Sequence, residues 1–373
     1  EKNALVIAQD VDIVSREQDV FYNKDMASNR TLSVAVINSM DKDNLIIGLP
    51  LAGTGVRAVR ILKETKPEKI EIVHANDMKA SAITTMKENC QLNNISDDKI
   101  KMTELDANVF LQQHQGFDYI DIDPFGSPNI AIIESIAHMK NNGILAVTAT
   151  DTGALAGTYP SACKQKYNAT SSLIPQKHEI GIRILIRKCL SIATHFTKRL
   201  EPIFSYHHKH YYRIFFRVHK GKQKASSTFD SMNDYFSHCK TCGYHCSSTT
   251  PHTTCSECSK PMSLSGPLYN GPLHSSEWIE HIEENLTLHY EDNNAIDKEA
   301  KSILEKTKRE LALQIVGFYD THQLAKAQSI PIKKMVDIIT AIKEKGFLAT
   351  QCSTSDVGIK TNAPFDVVCE CSK

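Results

Sequence analysis

Residues 45–55 read LIIGLPLAGTG, an apolar stretch that runs into a turn holding Gly53 and Gly55. The stretch predicts a buried strand, and the glycines predict a turn that opens a helix. Glycine lets backbone amides approach a ligand closely at a helix N-terminus. Two glycines alone are equally typical of a tight strand-to-helix turn, so the surrounding residues decide between the two interpretations.

The unit of apolar strand and amphipathic helix repeats along the first half of the chain. The predicted strands cover 45–49, 70–75, 100–103, 117–122 and 144–149. Such alternation predicts an α/β fold, a doubly wound Rossmann-like parallel sheet with helices on both faces. A predicted helix over 177–194 is followed by two strands, over 203–207 and 211–218. We expect these two strands to add an antiparallel pair to the sheet edge.

Acidic residues follow the second and third predicted strands. Asp77 lies about 20 residues beyond the glycines, where a carboxylate can accept both hydroxyls of a ribose. Its alternative role is a helix cap. Asp106, with Ala107 beside it, can accept a hydrogen bond from the amino group of an adenine. Because ligands of open parallel sheets bind at the carboxyl ends of strands, these positions together indicate a nucleotide-like ligand.

S-adenosylmethionine is the ligand that these positions favour. The chain lacks a Lys-Ser/Thr phosphate loop and the full three-glycine dinucleotide pattern, which disfavours ATP hydrolysis and hydride transfer. A ribose, an adenine and a carboxylate near Arg30 or Arg57 together describe this methyl donor.

Residues 121–128, DIDPFGSP, end the fourth predicted strand. An amino group on a base is a poor nucleophile because its lone pair is delocalised into the ring, so its methylation needs acceptors that hold its hydrogens. Asp123 supplies one acceptor and the Pro124 carbonyl a second, while Phe125 offers a flat face to an extruded base. The alternative is a polar strand end followed by a proline turn. The order of acceptor, proline and aromatic favours methyl transfer to a base amino group.

Residues 21–30, FYNKDMASNR, precede the first sheet strand. We expect Phe21 or Tyr22 to cover the donor or the base, with Arg30 on the carboxylate of the donor. The alternative is an N-terminal arm that packs on the core.

A change of composition after Val218 predicts a domain boundary, with a catalytic domain over 1–220 and a second domain over 221–373. The second domain begins with two CxxC knuckles, twelve residues apart, in a predicted zinc ribbon over about 236–262. The four thiolates of the knuckles predict a closed structural zinc site, formed by Cys239, Cys242, Cys255 and Cys258. The alternatives are paired disulfides, or ligands taken from the intervening His245, Cys246 and His252.

The end of the chain, about 300–373, resembles a winged-helix-like α+β module. We predict a helical run through Leu311, Ile315 and Phe318, further helices, and strands near 347–351 and 358–361. Basic and aromatic residues between 198 and 213 and the lysines near residue 340 are candidates for phosphate contact.

Composition bounds the function only loosely. The 373 residues carry 43 Lys and Arg against 43 Asp and Glu, so any nucleic-acid surface must be a local patch. No apolar run approaches the roughly 18 to 20 residues of a membrane span, and no export signal is recognisable. The odd count of 11 cysteines and the lack of a recognisable export signal indicate reduced thiols and a cytoplasmic location. We also expect no membrane partner and a monomer.

The motifs FYNKDMASNR, LAGTGVRAVR, AND, DAN and DIDPFGSP together resemble those of the tRNA (guanine-26) 2-amino dimethyltransferase family. The similarity extends through TATDTGALAG (148–157) and HEIGIRIL (178–185) and covers nearly the full chain. It implies transfer of one or two methyl groups to the 2-amino group of a tRNA guanine, with Asp123 as the catalytic carboxylate. By the same resemblance the donor contacts Arg30, Arg57, Asp77, Asp106 and Ala107.

Two points stay open within the resemblance. Arg60 is close enough in the motif to replace Arg57, and Leu49-Pro50 stands where many methyltransferases carry an acidic residue before the glycines. Outside it, the rival functions are an adenine amino methyltransferase of RNA or DNA and a non-catalytic zinc and winged-helix nucleic-acid-binding protein.

Overall fold

A central sheet of seven strands organises the first half of the computed structural model, which describes residues 1–8, 20, 22–226, 228–289 and 297–373. The spatial order of its strands is β3-β2-β1-β4-β5-β7-β6. The strands are β1 (Leu45–Leu49), β2 (Ile70–Asp77), β3 (Ile100–Glu104), β4 (Phe117–Ile122), β5 (Met139–Ala149), β6 (Lys198–His208) and β7 (Tyr211–Lys220). Strands β1 to β5 are parallel, and β7 runs antiparallel to both β5 and β6. The predicted α/β class and the antiparallel pair at the edge are confirmed.

Helices cover both faces of this sheet. They are α1 (Ala27–Asn38), α2 (Val56–Glu64), α3 (Ala80–Leu92), α4 (Ala107–Gln112), α5 (Ile132–His138), α6 (Thr152–Leu155), α7 (Pro160–Tyr167) and α8 (Lys177–His195). One hydrophobic core holds buried residues of α1, α2 and α3, and a second core on the other face holds those of α4, α5 and α8. Strands buried on both faces form apolar runs, which explains why the sequence identified them.

The order of the strands reverses between β1 and β4, because β2 follows β1 on one side and β4 lies on the other. A crevice opens at such a switch point, at the carboxyl ends of the strands. The turn after β1 and the segment after β4 meet there, and these are the two stretches that the sequence singled out.

The chain beyond residue 220 forms a short helix α9 (Lys222–Ser226) and a three-stranded antiparallel sheet of order β10-β8-β9. Its strands are β8 (Asp234–Cys239), β9 (His245–Ser248) and β10 (Met262–Leu268). Two helices, α10 (Ser276–His289) and α11 (Lys298–Glu310), then return to the first half of the chain. Ile282 and Leu304 share a core with Val36 of α1, so these helices pack on the face of the sheet domain. The division of the chain into two domains at residue 220 stays a prediction.

The last unit combines a small sheet with three helices. Its strands, in the order β11-β13-β12, are β11 (Tyr319–Asp320), β12 (Ala349–Gln351) and β13 (Gly358–Thr361), and its helices are α12 (Thr321–Gln328), α13 (Met335–Glu344) and α14 (Phe365–Cys371). They enclose a separate core that includes Leu324, Ile338 and Ile359. This mixture of helices and short strands agrees with the predicted α+β end.

The helical run predicted through Leu311, Ile315 and Phe318 is wrong, since α11 ends at Glu310. The carbonyls of Ile315 and Phe318 instead accept hydrogen bonds from side chains of the first half of the chain, and Gly317 has a positive φ of 86°. Backbone groups that bond to remote side chains are not free to form a helical ladder. Within the described part of the chain, none of the helices combines the length and apolarity that a membrane span requires.

Candidate active site and metal centre

A cavity of about 640 Å³ opens at the carboxyl ends of β1, β2 and β4. It brings together seven of the ten residues predicted for the donor and for the chemistry, namely Arg30, Gly53, Arg57, Asp77, Asp123, Pro124 and Phe125. Three predicted residues, Gly55, Asp106 and Ala107, are absent from the described lining. The lining also includes residues that the sequence did not single out, among them Met78, Ser127, Asn129 and Lys166.

The glycine turn has the geometry that only glycine adopts easily. Gly53 and Gly55 have φ angles of 53° and 74°, and a Cβ on Gly55 would lie 2.4 Å from Cγ of Met86. Gly55 therefore packs α2 against α3, behind the cavity. The amide of Gly53 donates to Asp77 Oδ2 at 2.9 Å, which fastens the turn to the end of β2.

Asp77 and Asp106 differ in what they do. The Oδ1 atom of Asp77 accepts from the amide of Lys79 at 3.1 Å, and its side chain lines the cavity beside Met78. Asp106 is the N-cap of α4, since its carboxylate accepts from the amides of Asn108 and Val109. The helix cap was the alternative role for Asp77, but the N-cap of α3 is Lys79. Asp106 lies outside the described lining of the cavity, and its contact with the donor stays a prediction.

The carboxylate of Asp123 is held from behind by Arg57. One Nη of Arg57 donates to Asp123 Oδ2, and the other lies 3.2 Å from Asp121 Oδ2. The remaining hydrogen bonds of Arg57 go to Ser33 Oγ at 2.9 Å and Asn29 Oδ1 at 3.0 Å. The side chain of Asp123 is 19% exposed, so one face of the carboxylate meets the cavity. We interpret Arg57 as the residue that orients Asp123.

Arg60, the open alternative to Arg57, is fully buried and lies outside the described lining of the cavity. Its guanidinium donates to Glu64 Oε1 at 2.9 Å and to Thr31 Oγ1 at 3.0 Å. Arg60 therefore connects Thr31 of α1 with Glu64 of α2 and stabilises the packing of these two helices beneath the site.

A buried network under Asp123 was missed by sequence reasoning. Asp121 receives a two-pronged hydrogen bond from Arg213, at 2.8 and 2.6 Å, and a third from the hydroxyl of Tyr119 at 2.6 Å. Burial acts to raise the pKa of Asp121, but Arg213 and Arg57 outweigh it and hold that pKa below its usual value. The sequence does indicate this network indirectly, because Asp121 and Arg213 are charged residues inside the largely apolar strands β4 and β7.

The turn after Asp123 presents Phe125 at the mouth of the cavity, with 43% of its surface exposed. Gly126 fixes this turn, because its amide donates to Thr150 Oγ1 at 2.6 Å and its carbonyl accepts from the amide of Thr150 at 2.9 Å. A positive φ of 103° at Gly126 allows the reversal.

Arg30 lines the cavity but binds a carboxylate of the chain itself. Its Nε and Nη2 donate to Glu1 at 2.7 and 2.5 Å, and the ring of Tyr22 lies 5.5 Å from its guanidinium carbon. Burial acts to raise the pKa of Glu1, but Arg30 and Arg60 outweigh it and lower that pKa to about 2. Tyr22 lines the cavity, as expected of a covering residue, whereas Phe21 lies outside the described residues.

The basic and aromatic segment between 198 and 213 is not a free cationic surface. Lys198 is 4% exposed and donates to three carbonyls at the end of α5, and Arg213 is fully buried. At the tip of the β6–β7 hairpin, Lys209 pairs with Asp25 and Glu299, both at 3.0 Å. These residues stabilise the fold, and the expectation that they contact phosphate as a group is not supported.

The four predicted zinc ligands cluster between β8 and β10. The Sγ atoms of Cys239, Cys242, Cys255 and Cys258 all lie within 4.8 Å of one another. Two of the separations are 3.4 and 3.6 Å, close to the edge of about 3.8 Å in a tetrahedron whose zinc–sulfur distance is about 2.3 Å. None of the eleven cysteines, all within the described chain, forms a disulfide. The donor set fits a structural zinc ion, and His245, Cys246 and His252 lie outside the cluster.

A parallel sheet with a β7 strand inserted antiparallel beside β5, and a cavity at its switch point, define a Rossmann-like methyltransferase fold. A family model described as N2,N2-dimethylguanosine tRNA methyltransferase matches residues 2–373. The chain belongs to this family.

Curated relatives and a solved structure agree with that assignment. A tRNA (guanine(26)-N(2)/guanine(27)-N(2))-dimethyltransferase of Aquifex aeolicus is 36% identical over 364 residues, covering 95% of this chain and 90% of the relative. A tRNA (guanine(26)-N(2))-dimethyltransferase of Methanosphaera stadtmanae is 34% identical, covering 96% of this chain and 91% of the relative. The solved structure of Trm1 from Pyrococcus horikoshii in complex with S-adenosyl-L-methionine superposes with a TM-score of 0.86 at 30% identity. It covers 100% of this chain and 98% of that one.

Proposed function

We propose that the chain transfers one or two methyl groups from S-adenosylmethionine to the 2-amino group of guanine 26 in tRNA. The observation that carries this proposal is Asp123, a carboxylate on the cavity wall with Arg57 behind one of its oxygens. Membership of the family and the activities for which its relatives are named support the choice of guanine and of tRNA.

The methyl donor would bind on the side of the cavity that holds the glycine turn. At Gly53 the donor can approach the backbone closely, and the Asp77 carboxylate can accept from the hydroxyls of its ribose. Met78 offers an apolar surface beside Asp77. The volume of about 640 Å³ is in the range of pockets that hold small ligands and leaves room for part of a second one. The sulfonium of the donor supplies an already activated methyl group, so the protein contributes mainly alignment and charge placement.

Asp123 would activate the amino group by holding its hydrogens. Arg57 occupies Oδ2, which leaves Oδ1 to accept from the amino group, and the Pro124 carbonyl is the second acceptor. As the nitrogen–carbon bond forms and the sulfur–carbon bond breaks, the nitrogen gains positive charge and then loses one proton. We assign Asp123 as the acceptor of that proton, which passes on to solvent. Phe125 at the mouth of the cavity would stack on the extruded guanine.

The remaining expectations complete the proposal. Residues 1–220 bind the donor and perform the transfer, while 221–373 contact the tRNA body, with zinc at the four cysteines as a structural element. The described helices include no membrane span, and we propose a monomer in the cytoplasm, where tRNA is found.

Digestion of methylated tRNA to nucleosides tests the reaction. The chain should produce N2-methylated guanosine and no methyladenosine from unmodified tRNA and labelled donor. Asp123→Ala should lower the rate at least about 100-fold while calorimetry still detects binding of the donor. Asp41→Ala is the control, since Asp41 is exposed before β1, at the opposite end of the sheet. Methyladenosine as the product, or full activity of Asp123→Ala, would exclude the proposed reaction.

A further inference from the structure

Beyond Phe125, the cavity wall carries polar groups to which neither the sequence analysis nor the proposed chemistry assigns a role. Ser127, Asn129 and Lys166 all line the cavity. Ser127 follows β4, and Lys166 belongs to the last turn of α7. Two further residues, Tyr167 and Asp151, connect these groups by hydrogen bonds.

The hydrogen bonds of this wall have a fixed direction. A carboxylate accepts hydrogen bonds, so the Tyr167 hydroxyl donates its single proton to Asp151 Oδ1, at 2.7 Å. Burial, reinforced by Asp151, raises the pKa of the Tyr167 phenol, which therefore keeps that proton. Ser127 Oγ lies 3.1 Å from the same phenol oxygen and must be the donor in that contact. Ser127 Oγ also accepts from the amide of Asn129 at 3.4 Å, which leaves one lone pair. With its proton committed to Tyr167, Ser127 can only accept from a group in the cavity.

Asn129 and Lys166 extend the pattern. The Nδ2 of Asn129 donates to the carbonyl of Lys166 at 2.8 Å, and its buried Oδ1 has no partner among the described residues. Lys166 Nζ donates to Asp151 Oδ2 at 3.0 Å, which uses one of its three hydrogens. The wall therefore offers one acceptor to the cavity, Ser127 Oγ, and one cationic donor, Lys166 Nζ.

We propose that Ser127 and Lys166 select guanine over other purines, with Ser127 accepting from N1–H and Lys166 donating to O6. This inference rests on the proposed function and names the groups that read the base. Guanine has donors at N1 and at the 2-amino group and an acceptor at O6. Adenine has the opposite arrangement at positions 1 and 6, so its N1 lone pair would face the committed Ser127 oxygen. A site built for hydrogen bonds discriminates strongly against a base that leaves them unmade.

The base analogue 2,6-diaminopurine separates the recognition of guanine by Ser127 and Lys166 from the methyl transfer itself. It keeps the 2-amino group that is methylated, but it has an acceptor at N1 and an amino donor at position 6. We expect the chain to methylate tRNA with guanine at position 26 about 100-fold faster than the same tRNA with 2,6-diaminopurine there. Inosine, which lacks the 2-amino group, serves as the blank.

Tyr167→Phe tests whether the hydrogen bonds from Ser127 to Tyr167 and from Tyr167 to Asp151 set the direction of the Ser127 hydroxyl. Phenylalanine fills the same buried space but frees the Ser127 hydroxyl to donate to N1 of 2,6-diaminopurine. The preference for guanine should fall at least about tenfold. Ser127→Ala, which removes the acceptor, should also reduce the preference, and it serves as the second variant if Tyr167→Phe is unstable. Tyr159→Phe is the matched control, because the exposed Tyr159 hydroxyl forms no hydrogen bond in the described chain and the preference should stay unchanged.

Lys166 is tested with 2-aminopurine, which differs from 2,6-diaminopurine only by lacking the 6-amino group. The unaltered chain should methylate 2-aminopurine faster, because that amino group would face the Lys166 cation. In Lys166→Met the two analogues should be used equally. Comparing ratios between variants cancels the cost of extruding each base from the tRNA.

The outcomes separate the two proposals. If tRNA with guanine 26 is not methylated at all, the proposed function fails. If guanine and 2,6-diaminopurine are methylated at equal rates, or if Tyr167→Phe and Ser127→Ala keep the full preference, the reaction stands and the assignment of Ser127 is overturned. Lys166 is excluded as a reader of O6 if Lys166→Met still prefers 2-aminopurine.

Discussion

At the scale of single residues, the site depends on two buried arginines, Arg57 and Arg213, that lie beneath Asp123, the proposed catalytic carboxylate. Both Nη atoms of Arg213 donate hydrogen bonds to Asp121, and the guanidinium of Arg57 contacts both Asp121 and Asp123. Asp121 is thereby fixed as a charged, fully buried residue that in turn fixes Arg57. Such planar, two-pronged contacts give a geometry that lysine cannot reproduce.

Arg57→Lys tests this orienting role. Lysine keeps the charge but cannot reach Asp121, Asp123 and Asn29 at once, so kcat should fall about 10- to 100-fold. The dissociation constant of the donor, measured by calorimetry, should change much less. Arg199→Lys is the control, since Arg199 is 39% exposed and lies 3.8 Å from Glu201. A loss of donor affinity as large as the loss of kcat would show that Arg57 binds the donor instead.

At the scale of elements, α8 connects the sheet domain to the last unit of the chain. Glu179 of α8 pairs with Lys360 of β13 at 2.9 Å and with Arg183 at 2.8 Å, and all three are almost fully buried. Burial acts to raise the pKa of Glu179, but Lys360 and Arg183 outweigh it and lower that pKa to about 2, from 4.5. A lowered pKa stabilises the fold above pH about 4.5, and this contribution is lost as the pH falls toward about 2.

Lys360→Met should lower the free energy of unfolding by about 3 kcal/mol, because it removes one of the two cations that balance the buried Glu179 carboxylate and leaves only Arg183 beside it. Chemical denaturation measures the change. Lys345→Met is the matched control in the same unit, because its ion pair with Glu370 is exposed and its loss should change the free energy of unfolding far less. Equal effects of the two substitutions would mean that the buried pair does not hold the units together.

The sequence predicts the elements that depend on local patterns, and it does not reveal the contacts between residues that lie far apart in the chain. Strands β1 to β5 and helix α8 follow from local periodicity, and the glycine turn and DIDPFGSP follow from their position at strand ends. The spacing of apolar residues predicts a helix over 311–318. That prediction fails because backbone carbonyls of this segment accept from Arg183 and Gln176, which lie more than 130 residues away in the chain. Likewise, the Asp121–Arg213 contact joins strands that are not sequential, so no local pattern reveals it.

At the scale of the whole molecule, the chain folds back on itself. Helices α10 and α11 follow the cysteine cluster in sequence yet share the core of the sheet domain, where Trp278, Ile279 and Ala300 are buried. The cluster therefore lies on a segment that is anchored at both sides, between β7 and α10. This arrangement suits a structural zinc ion, which fixes a short segment whose own core is small.

Metal analysis of the purified chain should find one zinc ion per molecule. Cys258→Ser should release the zinc and lower the midpoint of thermal unfolding, because three thiolates no longer close the tetrahedron. Cys246→Ser should keep the zinc, since Cys246 lies between the knuckles in sequence but outside the cluster. Zinc-free protein, or zinc retained by Cys258→Ser and lost by Cys246→Ser, would contradict this assignment.

The proposed reaction places the methyl group on one amino group of one nucleotide, and mapping that methyl group in the tRNA tests the proposal. Unmodified tRNA is incubated with the chain and isotope-labelled S-adenosylmethionine, digested with a sequence-specific ribonuclease, and the fragments are analysed by mass spectrometry. We expect the label on N2 of the guanine at position 26. A label on an adenine, on another atom of the guanine, or only at positions remote from 26 would contradict it.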